Sequence, residues 1–184
     1  FLIKENNVYI DKRTKDYSSN FGLQWNEFSK TQLDSHTGFP LTRKRLFNSS
    51  GWDSNEMKDK LIVELGSGAG RFTEILLSCQ SYILSVEMSN AIHVNALNNK
   101  SDRIIFLRSS LNNLSFLGEF FDYVLCYGVA QHTPNIVETY NACYHLAKKG
   151  GKISVDHYEK LNYPTLKSLW RPITKRINPL LLFK

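Results

Sequence analysis

A chain of 184 residues suffices for one domain with a real core, and 42% apolar with 12% aromatic residues excludes a disordered protein. No apolar run nears the roughly 18 residues that cross a bilayer, and the opening FLIKENNVYI lacks the apolar stretch of a signal peptide. The net charge of +6 gathers in KRTK (12–15), RKR (43–45) and RPITKR (171–176), which suits nucleic acid, an anionic surface or an acidic small substrate.

Cys79, Cys126 and Cys143 are too far apart for a disulfide framework or a metal-ligand set. They read as small buried hydrophobes in a reducing, cytoplasmic setting, and no metal is expected.

Residues 1–59 read as a helical and irregular extension. Within it, NVYIDKRTKDY (7–17) is a candidate hairpin. Tyr17, Phe21, Trp25 and Phe28 then recur on one helix face, as core packing or as a lid. Pro40, Gly51 and the polar run 48–60 break the pattern.

From residue 60 strands and helices alternate. LIVEL (61–65) is a buried strand, and Phe72, Ile75, Leu76 and Cys79 form a helical stripe. YILSVE (82–87) is a second strand, Asn90–Asn99 a helix, IIFL (104–107) a third strand and FDYVLCY (121–127) a fourth. Thr133 and Pro134 read as an N-cap and first helical residue. The stripe Ile136, Tyr140, Cys143 and Ala147 stops at Gly150 and Gly151, and KISVDH (152–157) is a fifth strand. This alternation predicts an α/β fold, a doubly wound, Rossmann-like and mostly parallel sheet, over residues 60–158. Residues 159–184 read as a basic helical tail. Ligands of such sheets sit beyond the carboxyl ends of the strands.

The loop after the first strand, GSGAGRF, has glycines at 66, 68 and 70. A dinucleotide fingerprint needs its third glycine at position 71, which is Arg71, and the Gly-Lys-Ser/Thr of a P-loop is missing. Glu64, two residues before Gly66, would repel a phosphate and favour an ammonium group. Glu87 ends the second strand, 21 residues after Gly66, where a carboxylate accepts ribose hydroxyls. A nucleoside with a free ribose and a cationic, amino-acid-like tail is S-adenosylmethionine.

VELGSGAGRF, Glu87, LRSSLNNLSF, FDYVLCYGVAQHTPN and LAKKGGKI together resemble the ordered motifs of class I S-adenosylmethionine-dependent methyltransferases, over about residues 60–157. FGLQWNEF, GVAQHTP and RPITKRINPLL resemble bacterial methyltransferases of small-molecule type, some of them from surface-sugar assembly. The resemblance implies that Gly66, Ser67, Gly68 and Gly70 pass close to the methionine part of the cofactor, with Glu64 helping to hold it. Glu87 would take the ribose and Met88 would lie on the adenine. Ser110 stands where the family usually has Asp against the adenine amino group, and Leu111 would offer its backbone N–H to the ring. Tyr127 and Gly128 would face the sulfonium. Relatives often carry two adjacent histidines where this chain has Gln131 and His132.

The function expected is methyl transfer to a small molecule, a sugar or lipid-linked glycan by the resemblance, with an anionic acceptor suggested by the basic charge. His132 is the first candidate base and His157 the second, because histidine titrates near neutral pH. Each has the alternative of a structural or solvated residue. Nucleic-acid methylation is the other enzymatic reading. CYGVAQ stands where enzymes that methylate base amino groups carry Asp or Asn, Pro-Pro and an aromatic, so nucleic acid is not the expected partner. Ser110 and Gln131 keep open a non-catalytic cofactor-binding protein. The chain does not start with Met, and the family's two further strands after the fifth are not legible, so it reads as a fragment lacking its C-terminal strands.

Overall fold

The computed structural model describes residues 1–14 and 29–157. The aromatic stripe from Tyr17 to Phe28 and the tail from residue 158, with any strands in it, lie outside the described residues.

The first two strands, β1 (Leu2–Glu5) and β2 (Val8–Asp11), form an antiparallel hairpin. Its two-residue turn is Asn6 and Asn7, both at positive φ (47° and 67°), a conformation asparagine tolerates and hairpin twist favours. The expected hairpin therefore lies several residues earlier than its predicted position. A short helix α1 (Asp34–Thr37) and a longer one, α2 (Leu41–Ser50), precede the central strand β3 (Leu61–Leu65). The chain continues through α3 (Arg71–Ser78), β4 (Tyr82–Glu87), α4 (Ala91–Asn98), β5 (Ile104–Arg108), β6 (Phe121–Cys126), α5 (Ile136–Leu146) and β7 (Ala147–Val155).

The seven strands lie in the order β1-β2-β5-β4-β3-β6-β7, parallel apart from β1 against β2. From β3 the chain winds one way through β4 and β5, then returns to the other side for β6 and β7. The reversal falls between β3 and β6, where open α/β sheets bind ligands. Two strands from before residue 12 thus belong to the sheet, which extends beyond the segment read as core.

Alternation along the strands feeds two apolar layers. On one face Ile62, Tyr123, Leu125 and Tyr127 meet Phe72 and Leu76 of α3 and Leu46 of α2. On the other Val63, Leu65, Val124 and Cys126 meet Cys143 and Leu146 of α5.

Three boundaries differ from expectation around α5. The N-cap is Asn135, whose Oδ1 accepts the N–H groups of Val137 and Glu138 at 3.0 and 3.4 Å, so Thr133 and Pro134 stay outside the helix. The buried face is Thr139, Cys143 and Leu146, while Ile136 and Tyr140 are exposed. The helix ends at Leu146, because Ala147 already pairs with Phe121. Gly150, at φ +77°, and Gly151 lie in a bulge after which Lys152 pairs with Tyr123. Both glycines therefore belong to β7. The fourth strand likewise stops at Cys126, one residue before Tyr127.

Candidate functional site

The loop after β3 turns back over the end of β4. The N–H groups of Gly66 and Ser67 both donate to the Val86 carbonyl, at 2.7 and 3.1 Å. Gly66 and Gly70 have φ of +72° and +93°, which L side chains rarely adopt. Space forbids a side chain at Gly70 as well: a Cβ there would stand 2.1 Å from Asn95 Oδ1.

Beneath the loop lies a buried polar network. The Thr73 hydroxyl donates to Glu64 Oε2 at 2.5 Å and accepts from Asn95 Nδ2 at 2.9 Å. Asn95 Nδ2 also donates to the Ser85 hydroxyl, and Asn99 Nδ2 ties Asn95 Oδ1 to the Gly70 carbonyl. Glu64 is 2% exposed, and its Oε1 has no hydrogen-bond partner among the described residues. Burial pushes its carboxyl up to about 8, against the Thr73 hydrogen bonds and with a further push from the Glu87 charge. At neutral pH this side chain is an uncharged acid.

In front of the loop opens a cavity of about 530 Å³, within the range of small-molecule sites. Glu87 faces it from the end of β4. Gly68 N–H donates to one carboxylate oxygen at 3.0 Å, and Ser89 N–H donates to the other at 2.8 Å. Met88 and Leu111 supply apolar wall, and Ser110 lines the cavity with them. Ser110 N–H donates to the Thr14 hydroxyl at 3.2 Å, and the Ser109 hydroxyl donates to Asp11 Oδ2 at 3.2 Å, so the hairpin fastens this end of the cavity. Arg13 pairs with Asp11 and, with Ser109, holds that carboxyl down to about 2.

The other end is built after β6. Tyr127 packs edge-on against Phe72 at 5.4 Å and shares a 2.7 Å hydrogen bond with Ser154. Gly128 has φ +72°, and a Cβ there would meet nothing within 4 Å, so open space lies above it. Its N–H donates to Asp156 Oδ1. His132, Asn135 and Glu138 line the far wall.

The structure thus brings Gly66, Ser67, Gly68, Glu87, Met88, Ser110, Leu111, Tyr127, Gly128 and His132 together around one cavity. Glu64 and Gly70 lie behind the loop. His157 is exposed outside the cavity, its Nδ1 2.9 Å from the Tyr140 hydroxyl. Sequence reasoning did not show Asp156 as the partner of the Gly128 N–H, nor which of the three basic residues lines the cavity. Arg45 lines the cavity, while Arg43 bonds Ser78 and lies over the Phe47 ring, and Lys44 is exposed. The place of Arg45, mid-way along α2 and between the buried Thr42 and Leu46 in the chain, is the signal that marks it.

Two further observations test the fit to the expected nucleoside. The buried Ser67 hydroxyl lines the cavity without a hydrogen-bond partner among the described residues. The carboxylate of Glu87 is already oriented by two amides with lone pairs left over. Both fit a polar ligand. Among the described residues no group of three His, Cys, Asp or Glu side chains could hold a metal, and no helix is long and apolar enough to cross a membrane.

The family model described as a methyltransferase domain matches residues 63–155, just over half of the chain. The chain belongs to the methyltransferase domain family. A comparison with curated protein sequences found no match. Among solved structures, the domain is similar to one from Methanococcus maripaludis described as an S-adenosyl-L-methionine-dependent methyltransferase (19% identity, TM-score 0.59, 78% of this chain and 65% of that one). It is also similar to a structure from Haloferax volcanii, described as a complex between the Trm112 methyltransferase activator and a methyltransferase (17%, 0.61, 75% and 60%). A third, from Anabaena variabilis, is described as a methyltransferase from an antibiotic biosynthesis pathway (15%, 0.54, 76% and 56%). The methyltransferase domain thus spans under two thirds of the length of each of these structures, and at such identities the likeness is one of fold.

Proposed function

We propose that this chain is a class I S-adenosylmethionine-dependent methyltransferase acting on a small molecule. The observation that carries the reading is Glu87, set beside the glycine loop with both oxygens oriented by backbone amides. A carboxylate so placed accepts two ribose hydroxyls, while a phosphate at the same spot would be repelled. Met88 and Leu111 flank the adenine, Ser110 accepts from its amino group, and the backbone from Gly66 to Gly68 lies along the methionine part with the Ser67 hydroxyl as a donor. Glu64 and Gly70 support this loop from behind. Tyr127 and Gly128 lie toward the sulfonium.

S-adenosylmethionine supplies a methyl group already activated on sulfur. The protein's work is alignment, which can supply roughly 7–11 kcal/mol, together with exclusion of water. For a hydroxyl acceptor, His132 on the cavity wall takes the proton, a contribution of about 10²–10⁴-fold. His157 stands outside the cavity, so His132 is the base proposed here. The likeness of GVAQHTP to methyltransferases of surface-sugar assembly supports a sugar or lipid-linked glycan as the acceptor.

Calorimetry with S-adenosylhomocysteine, NAD and ATP tests the cofactor: saturable binding is expected for the first alone. Labelled methyl from S-adenosylmethionine, offered with cell extract, tests the acceptor. Label is expected in the small-molecule or lipid fraction. Label in nucleic acid, or none in any fraction, overturns the small-molecule enzyme.

A further inference from the structure

The wall around Gly128 holds a charged arrangement that cofactor binding leaves unused. Arg45 reaches it from α2. Its Nη2 donates to Asp156 Oδ2 at 2.6 Å, and its guanidinium lies 5.7 Å from the Phe72 ring centre. Asp156 in turn accepts the Gly128 N–H with its other oxygen. One carboxylate therefore fixes both the backbone under the open space and the guanidinium beside it.

Among the described residues Arg45 makes that single hydrogen bond, and its Nε and Nη1 are left over. The side chain lines the cavity and is only half-buried, so those donors can reach a ligand. A guanidinium held through one Nη2 hydrogen keeps one forked edge, its other Nη2 hydrogen with either Nε–H or Nη1–H, matched to the paired oxygens of a carboxylate or phosphate. Arg71 adds to the positive character of this wall, its guanidinium lying 4.8 Å from the same Phe72 ring centre.

We infer that Arg45, fastened by Asp156, anchors an anionic oxygen group, carboxylate or phosphate, on the methyl acceptor. This rests on the methyl-transfer reading, since it is the transfer that gives the space over Gly128 an acceptor to hold. Arg45 then sets specificity: it fixes one end of the acceptor so that its nucleophile faces the sulfonium and His132. Asp156 is a positioning residue, acting through Arg45 and Gly128.

The alternative is an ion pair that merely ties α2 to β7. Three probes separate the two: benzoate, phenyl phosphate and the neutral benzamide, titrated into the protein with and without S-adenosylhomocysteine. Saturable binding of benzoate or phenyl phosphate, tighter than that of benzamide, is expected. Whichever of the two binds better names the anion. Arg45→Gln should weaken the anionic probe by roughly tenfold or more, the range for hydrogen bonds to a charged group, and leave benzamide unchanged. Arg45→Lys, which keeps the charge and loses the fork, should fall between, and it serves if Arg45→Gln does not fold. Equal binding of benzoate and benzamide, or an anion affinity untouched by both variants, overturns the proposal. Failure of S-adenosylhomocysteine to bind overturns the methyl-transfer reading and with it the anion's role on an acceptor, while the unliganded titrations still decide separately whether Arg45 holds an anion.

Discussion

Gly66 and Val129 approach so closely that a β-carbon on Gly66 would stand 2.1 Å from Val129 Cγ2. The glycine loop after β3 and the segment after β6 therefore share one wall of the cavity. Gly66→Ala is expected to destabilise the fold by about 2–4 kcal/mol, combining left-handed backbone strain with overpacking. Adding Val129→Ala should restore only the steric part, since φ +72° persists. Denaturant melts of the single and double variants check this; full recovery in the double variant would refute it.

Glu87 should govern cofactor affinity. Glu87→Ala is expected to weaken S-adenosylhomocysteine by about 1.5–3 kcal/mol, the range for hydrogen bonds to a charged group. Glu87→Gln should lose less, because the side-chain carbonyl still accepts the Gly68 or Ser89 amide. Calorimetry on folded variants reads both, and an unchanged affinity in Glu87→Ala would remove the ribose assignment.

Glu64 makes stability depend on pH. Its folded-state carboxyl titrates at about 8, against an ordinary value of 4.5, so between these values the native state holds a proton that the unfolded chain has lost. Stability should fall as pH rises through this window, at up to about 1.4 kcal/mol per pH unit, and level off above it. The neighbours facing it are the neutral Thr73 of α3 and the more distant charge of Glu87 on β4. Glu64→Gln should abolish the term, so the variant gains on the wild type between pH 5 and pH 9. Urea melts at four pH values suffice, and parallel stability curves would show that Glu64 is not held protonated.

Asn135 caps α5 with two amide contacts at the edge of the cavity. Asn135→Ala should cost about 1 kcal/mol of stability, whereas Asn135→Asp should be nearly neutral. Thermal melts decide; equal losses in both variants would mean that the cap contributes through something other than its oxygen.

Most of the parallel sheet was legible because LIVEL, YILSVE and IIFL are short apolar runs separated by helical stripes. The hairpin's place was not: three residues pairing with a strand far along the chain leave no local trace. Gly150 and Gly151 misled because a helix stop and a strand bulge use the same residue type for the same freedom in φ. Glu64 read as a ligand contact because its position in the chain puts it near the loop, yet strand alternation sends it to the α3 face with Ile62, and only packing shows that this face is sealed. Arg45 was hidden in a run of three cations that composition cannot rank. The aromatic stripe from Tyr17 to Phe28 lies outside the described residues.

The hairpin at the Ser109–Ser110 end of the cavity also bears on the order in which the sheet assembles. Val8 lies opposite Phe106, 98 positions away, whereas Leu61 lies opposite Tyr82, only 21 away. Closing the longer loop costs about 1.4 kcal/mol more chain entropy, and during synthesis β2 emerges long before its parallel partner exists. We expect the earliest-made strand of the pair to dock last, with pulse-labelled hydrogen exchange protecting amides of β3 and β4 ahead of those of β2. Simultaneous protection would argue against this order. The contacts of Asp11 with Ser109 and of Thr14 with Ser110 would then form late, and this end of the cavity would close as a final kinetic step, after the central strands are already in place.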